Sequence, residues 1–353
     1  MAFLPGPGGA DFPAACSSAS VSMKFDVIIG NPPYQQGDGG YAASARPLYH
    51  LFVQQAFQFS PRLVVMIIPA RWYAGGKGLH EFRRLMLSDP HIRELHDFPH
   101  TADCFSGVNI RGGVCYFLWD REYDNRKALV KVVTHMQGRQ WAALRSLIYR
   151  GFDIFLRYAE SLSILDKVMK KCRGKVMSAI VSARRPFGLA TDFIRSRDFH
   201  EDAVGLVDPV LCYGRNMKKG WVEFSKIPLH AEWAGRWKVF TPRANNIGTE
   251  LKDDNLNDFT GRREICTESY LVIGAELNLS QEQAQHLAAY LKTRFARFCH
   301  SMAKSSHDAT ARTYRFVPWE DFSRPWTDEM LYAAYGLNGQ EIAFIEAMIK
   351  PMD

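Results

Sequence analysis

Several things are scarce or missing in this chain of 353 residues, and each absence narrows its function. No apolar stretch approaches the roughly 20 residues that a membrane-spanning helix needs, so no membrane partner is expected. The seven cysteines (Cys16, Cys104, Cys115, Cys172, Cys212, Cys266, Cys299) are scattered without a C-x-x-C pair. That argues against a zinc site or a disulfide framework and fits a reducing cytoplasm, the expected location. His91, His96 and His100 cluster, but Pro99 interrupts the one pair at i, i+4 spacing, and no metal site is expected there. Internal repeats are absent. Residues 1–22 hold a single charge and neither the basic stretch nor the apolar core of a secretory leader; they read as disordered.

The charge that is present is unevenly placed. Residues 1–120 hold nine basic and nine acidic side chains, so the whole net charge of +7 falls on the remainder. A neutral first part and a basic second part suit an enzyme that holds duplex DNA, because phosphate neutralisation supplies the sequence-independent part of DNA affinity. Spread over more than two hundred residues, the excess also reads as plain surface charge.

The most informative feature is Asn31-Pro32-Pro33-Tyr34, directly after the apolar run Phe25-Asp26-Val27-Ile28-Ile29-Gly30. The run reads as a buried parallel strand. Two consecutive prolines neither extend a strand nor readily start a helix, since each lacks an N–H and restricts the residue before it. The chain therefore leaves the sheet in a stiff turn at the strand's carboxyl end, the edge where open α/β sheets bind ligands. An exocyclic amine conjugated to a purine is a poor nucleophile. Two acceptors gripping its hydrogens favour a pyramidal nitrogen, and the Asn31 side-chain oxygen and the Pro32 carbonyl are candidates for that grip. Tyr34 is placed to stack on an extruded base. The tetrapeptide also reads as a rigid loop, with Asn31 as a turn residue and Tyr34 as packing.

These residues, with Val64-Val65-Met66-Ile67-Ile68-Pro69 and Ile110-Arg111-Gly112-Gly113-Val114-Cys115-Tyr116-Phe117, resemble the adenine-specific N6 DNA methyltransferases of restriction–modification systems. From Trp237 to about Ile349 the chain is similar to the target-recognition region of the restriction-enzyme-fused members. The resemblance implies methyl transfer from S-adenosylmethionine to a flipped adenine in double-stranded DNA. Asn31, Pro32 and Tyr34 would be catalytic and Pro33 would contact the substrate. It also implies a second aromatic on the loop before the last strands, and Phe105 is the best positional match; Phe105 reads equally well as ordinary core. Asn109 and Arg111 are candidate contacts to DNA or to the adjacent loop.

The expected fold is α/β: part of a Rossmann-like methyltransferase sheet over residues 23–125, then an α+β target-recognition domain over 126–353. Pro47 to Phe57 and Gly78 to Leu87 read as crossover helices, the second with Glu81, Arg83 and Arg84 on its outer face. Leu63 to Ile68, Ile92 to Phe98 and Ile110 to Trp119 read as strands, the last bent at Gly112-Gly113. Residues 128–133 and 269–274 look like strands, Gln281 to His300 like one long helix, and Leu331 to Tyr335 and Glu341 to Ile349 like shorter ones.

In the basic part, Arg184, Arg185, Arg215, Lys218, Lys219, Arg243, Asn245, Lys304 and Arg312 are candidate DNA contacts, beside Lys238, Asn246 and Arg315. Arg and Lys suit phosphates and guanine, and Asn suits adenine edges. Any one of them also reads as a solvated side chain.

The donor site of the resembled family is not legible. That family holds S-adenosylmethionine on a glycine-rich turn after its first strand. Gly6-Pro7-Gly8-Gly9 has neither strand before it nor helix after it. The expectation is a truncated or split enzyme, with a separate chain as the partner carrying the donor-binding half. Two other readings stay open: a non-catalytic DNA-recognition fragment, and methylation of a protein glutamine amide, which the same tetrapeptide can grip. A nuclease is not expected, since no P-D…(D/E)-x-K spacing falls on strands.

Overall fold

The computed structural model describes residues 24–35, 46–75, 78–108, 110, 112–248, 253, 256, 259–304 and 307–352. The first lobe is built on a sheet of β1 (Val27–Gly30), β2 (Leu63–Pro69), β3 (Ile92–Phe98), β4 (Val114–Asp120), β5 (Val130–Met136) and β6 (Arg139–Arg145). Helix α1 (Tyr49–Gln58) connects β1 to β2, α2 (His80–Ser88) connects β2 to β3, and the single turn α3 (Asn125–Ala128) precedes β5. The strand order is β1-β2-β4-β3-β5-β6. β1 runs parallel to β2, and β3 parallel to β5, while β4 returns antiparallel between β2 and β3. The result is a mixed α/β sheet with two reversed strands, β4 and β6, and it continues through β5 and β6 to Arg145.

The reversal is enforced by Gly112 and Gly113, at φ 87° and 78°. A Cβ on Gly113 would lie 2.1 Å from the Phe98 carbonyl oxygen, so β4 meets the end of β3 only where no side chain intervenes. The strand accordingly begins at Val114, later than the expected Ile110. Tyr49, Val53 and Ala56 of α1 and Phe82 and Met86 of α2 bury against Val64, Met66, Ile68, Leu95 and Phe117 of the sheet.

Two expectations are corrected here. β1 is parallel but not buried: Val27 is 41% and Ile29 75% exposed, because β1 is the end strand of the described sheet. Arg83 does not face solvent. Its guanidinium turns inward and donates to the backbone carbonyls of Asp153 and Gly75.

The second lobe begins with α4 (Glu160–Cys172). Two three-stranded sheets follow, β7 (Pro209–Tyr213) between β8 (Lys219–Glu223) and β11 (Glu264–Cys266), and β9 (Lys238–Pro242) between β10 (Phe259–Gly261) and β12 (Tyr270–Ile273). Helices α5 (Gln281–Lys292), α6 (Arg294–Met302), α7 (Asp328–Tyr335) and α8 (Gly339–Met348) close the chain. The helices share a core of Ile164, Leu165, Leu287, Phe295, Phe298, Leu331 and Ile345. The expected single helix from Gln281 to His300 is two. Thr293 leaves helical geometry (ψ 149°) and its side chain caps α6 by accepting from the Ala296 N–H. The turn buries Arg297 against Asp253, 2.8 Å away.

Candidate catalytic edge and nucleic-acid interface

Asn31 follows β1 at the sheet's carboxyl edge. Its residue is exposed, Pro32 is buried beneath it, Pro33 is exposed and Tyr34 is half-buried. The turn is tied down behind the prolines, where the Leu48 N–H donates to the Tyr34 carbonyl at 3.1 Å and Gln35 bridges to Pro47. Among the described residues, no donor engages the Asn31 carboxamide oxygen or the Pro32 carbonyl. Among the described residues both acceptors at this bend thus lack a protein donor, the first on an exposed residue and the second on a buried one.

Tyr34 is less open than a free stacking platform. Its ring packs against the first-lobe core and its hydroxyl is enclosed without a hydrogen-bond partner. Burial, with the thiols of Cys104 and Cys115 nearby, pushes that hydroxyl up to about 12. The proximity of Cys104 brings the turn at residues 101–108 alongside the tetrapeptide. In that turn the Phe105 N–H donates to the Thr101 carbonyl at 2.7 Å, and Thr101 Oγ1 donates to the Ile110 carbonyl at 2.9 Å. Phe105 is half-buried next to Cys104. Asn109 and Arg111 lie outside the described residues.

The carboxyl end of β3 and the start of β4 border a cavity of about 330 Å³, whose lining does not include the tetrapeptide. Its first-lobe wall is formed by Tyr73, Pro99, His100, Gly112 and Arg157, at the ends of β2 and β3 and the start of β4. Its other wall is Gly248, Asp253, Ser301, Met302 and Lys304 of the second lobe. Behind it, Asp97 is fully buried with Arg157 Nε 2.8 Å from its Oδ2. Burial pushes the Asp97 carboxyl up to about 6, against the pull of the Arg157 charge. Arg157 also donates to the Gly112 carbonyl at 2.6 Å and lies over the Tyr73 ring. The sequence reading missed this group. Its one signal was the two-residue strand period, which puts Asp97 on the same face as the buried Leu95.

The registers gather most of the basic candidates at one end of the second lobe. Tyr213 pairs with Lys219 and with Cys266, and Tyr270 pairs with Pro242. The ends of β7, β9 and β11 and the starts of β8 and β12 therefore coincide. The Arg215–Lys219 segment, Arg243 and the β11–β12 turn all lie there. Glu268 of that turn binds Arg184 Nε and Arg185 Nε at 2.8 and 2.9 Å. Burial alone would raise the Glu268 carboxyl, yet both guanidiniums and Thr191 hold it at about 2. Arg243 donates to the Glu268 carbonyl and to Asp308 at 2.7 Å. From there the chain reaches Asn245, whose carbonyl accepts from Lys304 Nζ at 2.8 Å on the cavity wall.

Three expected DNA contacts are corrected by this geometry. Lys304 is buried and spends its ammonium on the carbonyls of Asn245 and Ile247; burial pushes it down to about 7. Asn245 is fully buried, its amide nitrogen donating to the Pro242 carbonyl. Lys238 is buried too, bonded to the carbonyls of Arg236 and Gly261. Arg312 is at the surface but pairs with Asp153 at 2.7 Å, beside Arg315 on the same carboxylate at 2.5 Å. Arg215, Lys218 and Lys219 are exposed and carry no ion pair among the described residues.

Residues 10–105 match the Eco57I restriction-modification methylase family. The matched segment takes in the tetrapeptide, β1 to β3 and Phe105. The chain is 37% identical over 120 residues to an uncharacterized adenine-specific methylase of Mycoplasma pneumoniae, an alignment covering 33% of this chain and 28% of the relative. The resemblance to restriction–modification methylases therefore holds over residues 10–105. Two solved structures are loosely similar across both lobes. The type IIL restriction-modification enzyme MmeI in complex with DNA has 12% identity and a TM-score of 0.47, covering 92% of this chain and 52% of that one. The type IIG restriction endonuclease BpuSI has 11% identity and a TM-score of 0.35, covering 90% and 49%. No helix among the described residues is long and apolar enough to cross a membrane.

Proposed function

We propose that this chain is the adenine-gripping and DNA-binding part of a site-specific adenine-N6 DNA methyltransferase of a restriction–modification system. One observation carries the reading: Asn31 and Pro32 leave the carboxyl end of β1 in a stiff bend, and among the described residues no protein donor engages the Asn31 carboxamide oxygen or the Pro32 carbonyl. The Asn31 Oδ1 and the Pro32 carbonyl accept the two N6 hydrogens of an extruded adenine. That grip favours a pyramidal amine whose lone pair points away from the ring. Tyr34 and Phe105 bracket the base, and exclusion of water by the two rings strengthens both hydrogen bonds. Arg215, Lys218 and Lys219 hold phosphates of the flanking duplex.

S-adenosylmethionine is the methyl donor that the methylase match implies. Among the described residues, no glycine-rich strand-to-helix turn stands beside β1 to hold it. The fit is therefore not met by these residues, and no transfer step is derived through the donor. The exposed outer face of β1, with Val27 and Ile29, is where the reading places a further segment or chain that completes the donor pocket.

A second reading, a DNA-recognition fragment without turnover, is favoured by that same open face of β1. Radiolabelled S-adenosylmethionine offered to the purified chain with duplex DNA and with a glutamine-bearing protein separates the cases. Label in DNA adenine supports the main reading. A gel shift without label supports the fragment reading. Label in the protein amide overturns both.

A further inference from the structure

The β7–β8 hairpin ends in a tight turn closed by the Lys218 N–H on the Arg215 carbonyl, and again by the Gly214 N–H on the Lys218 carbonyl at 2.7 Å. Its two central residues, Asn216 and Met217, both have positive φ, 58° and 59°. Turns of this mirror-image type strongly prefer Asn at the first position and Gly at the second. Asn216 is the folding-preferred choice. Met217 is not: a side chain held in the left-handed region is disfavoured. Folding alone does not ask for methionine there, and strain of this kind concentrates where a site needs it.

The rest of the hairpin is rigid. A Cβ on Gly214 would lie 2.3 Å from Ile194 Cγ2, and one on Gly220 2.3 Å from Phe199 Cε1, so the loop is pressed onto its own lobe at both ends. Lys218 lies over the Phe199 ring and Lys219 over the Tyr213 ring. Met217 remains 41% exposed, with its sulfur steadied from beneath by the Tyr270 hydroxyl at 3.0 Å. An amide and an apolar wedge thus stand at the apex, braced below and flanked by three cations that make no close ion pair among the described residues, Lys219 acting on the Glu264 carboxyl only from a distance.

We infer that Asn216 and Met217 are the base-reading pair of this chain, working on duplex DNA between phosphate contacts made by Arg215, Lys218 and Lys219. This rests on the proposed DNA-binding function and deepens it. Asn216 offers the donor–acceptor pair that matches an adenine edge, and Met217 offers an apolar contact for a thymine methyl or a base step.

The test is selection from a random-sequence duplex pool with the intact chain, compared with Asn216→Ala and Met217→Gly. Met217→Gly relieves the turn, so it is expected to melt at the same temperature as the unaltered chain or higher. Both variants are expected to bind unselected duplex within about twofold of the unaltered chain, yet to lose or change one or two positions of the enriched motif, by roughly tenfold or more in preference. Arg215→Ala is expected to weaken all sequences alike. If both apex variants enrich the unaltered motif, or if the unaltered chain binds duplex without enriching any motif, the inference is overturned while DNA binding stands. If the unaltered chain binds no duplex at low salt, the functional reading falls as well.

Discussion

Arg157 Nε lies 2.8 Å from Asp97 Oδ2, and this pair ties the end of β3 to the segment that leads into the second lobe. Asp97 also faces Tyr73, Cys115 and Arg145, all buried. Its carboxyl is raised to about 6 by burial. Between pH 4 and 6 the folded chain keeps a proton that the unfolded chain has released. The stability this group contributes is therefore full below about 4 and is lost as pH rises through 6, by an amount on the order of 2–3 kcal/mol. Asp97→Asn cannot ionise and is expected to flatten that slope, read as denaturant midpoints at several pH values from 4 to 7. An unchanged slope would remove Asp97 as its source.

Gly113 is expected to be intolerant. Alanine there meets both a φ of 78° and the Phe98 carbonyl at 2.1 Å. Gly113→Ala should cost about 3 kcal/mol or more, since strain and a backbone clash add. A thermal melt checks this, with Gly138→Ala as the control. Gly138 has a similar φ of 72° but open space around its Cβ, so it should lose much less.

Ion pairing separates the basic side chains proposed to hold phosphate from those committed to the fold. Replacing Arg215, Lys218 and Lys219 together by alanine should reduce the slope of log affinity against log salt by up to about 2–3, near one per phosphate contact. Arg312→Ala should leave the slope unchanged, because its charge is committed to Asp153. Fluorescence anisotropy on a labelled duplex, titrated with salt, measures both.

Much of the first lobe was legible in the sequence. Continuous apolar runs fixed β2 and β4, helical spacing fixed α1 and α2, and the two prolines marked the turn after β1. What escaped notice depended on contacts between distant segments. Arg83 looks solvent-facing on a helical wheel, but the carbonyls of Gly75 and Asp153 turn it inward. Lys304 and Asn245 look like surface readers until their mutual hydrogen bond is seen. The break at Thr293 was hidden because the apolar spacing of α5 continues across it into α6. The gathering of Arg215, Arg243 and Glu268 at one end is set by strand register, which composition does not reveal.

The account stands most directly on Asn31. In the cell that naturally makes this chain, with every partner in place, replacing Asn31 by alanine on the chromosome and sequencing the genome for N6-methyladenine gives the answer. The expected result is that methylation disappears from one sequence motif while the variant chain still shifts duplex DNA like the unaltered one. Methylation that persists unchanged at every motif would contradict the assignment of Asn31 as an acceptor of the adenine amine.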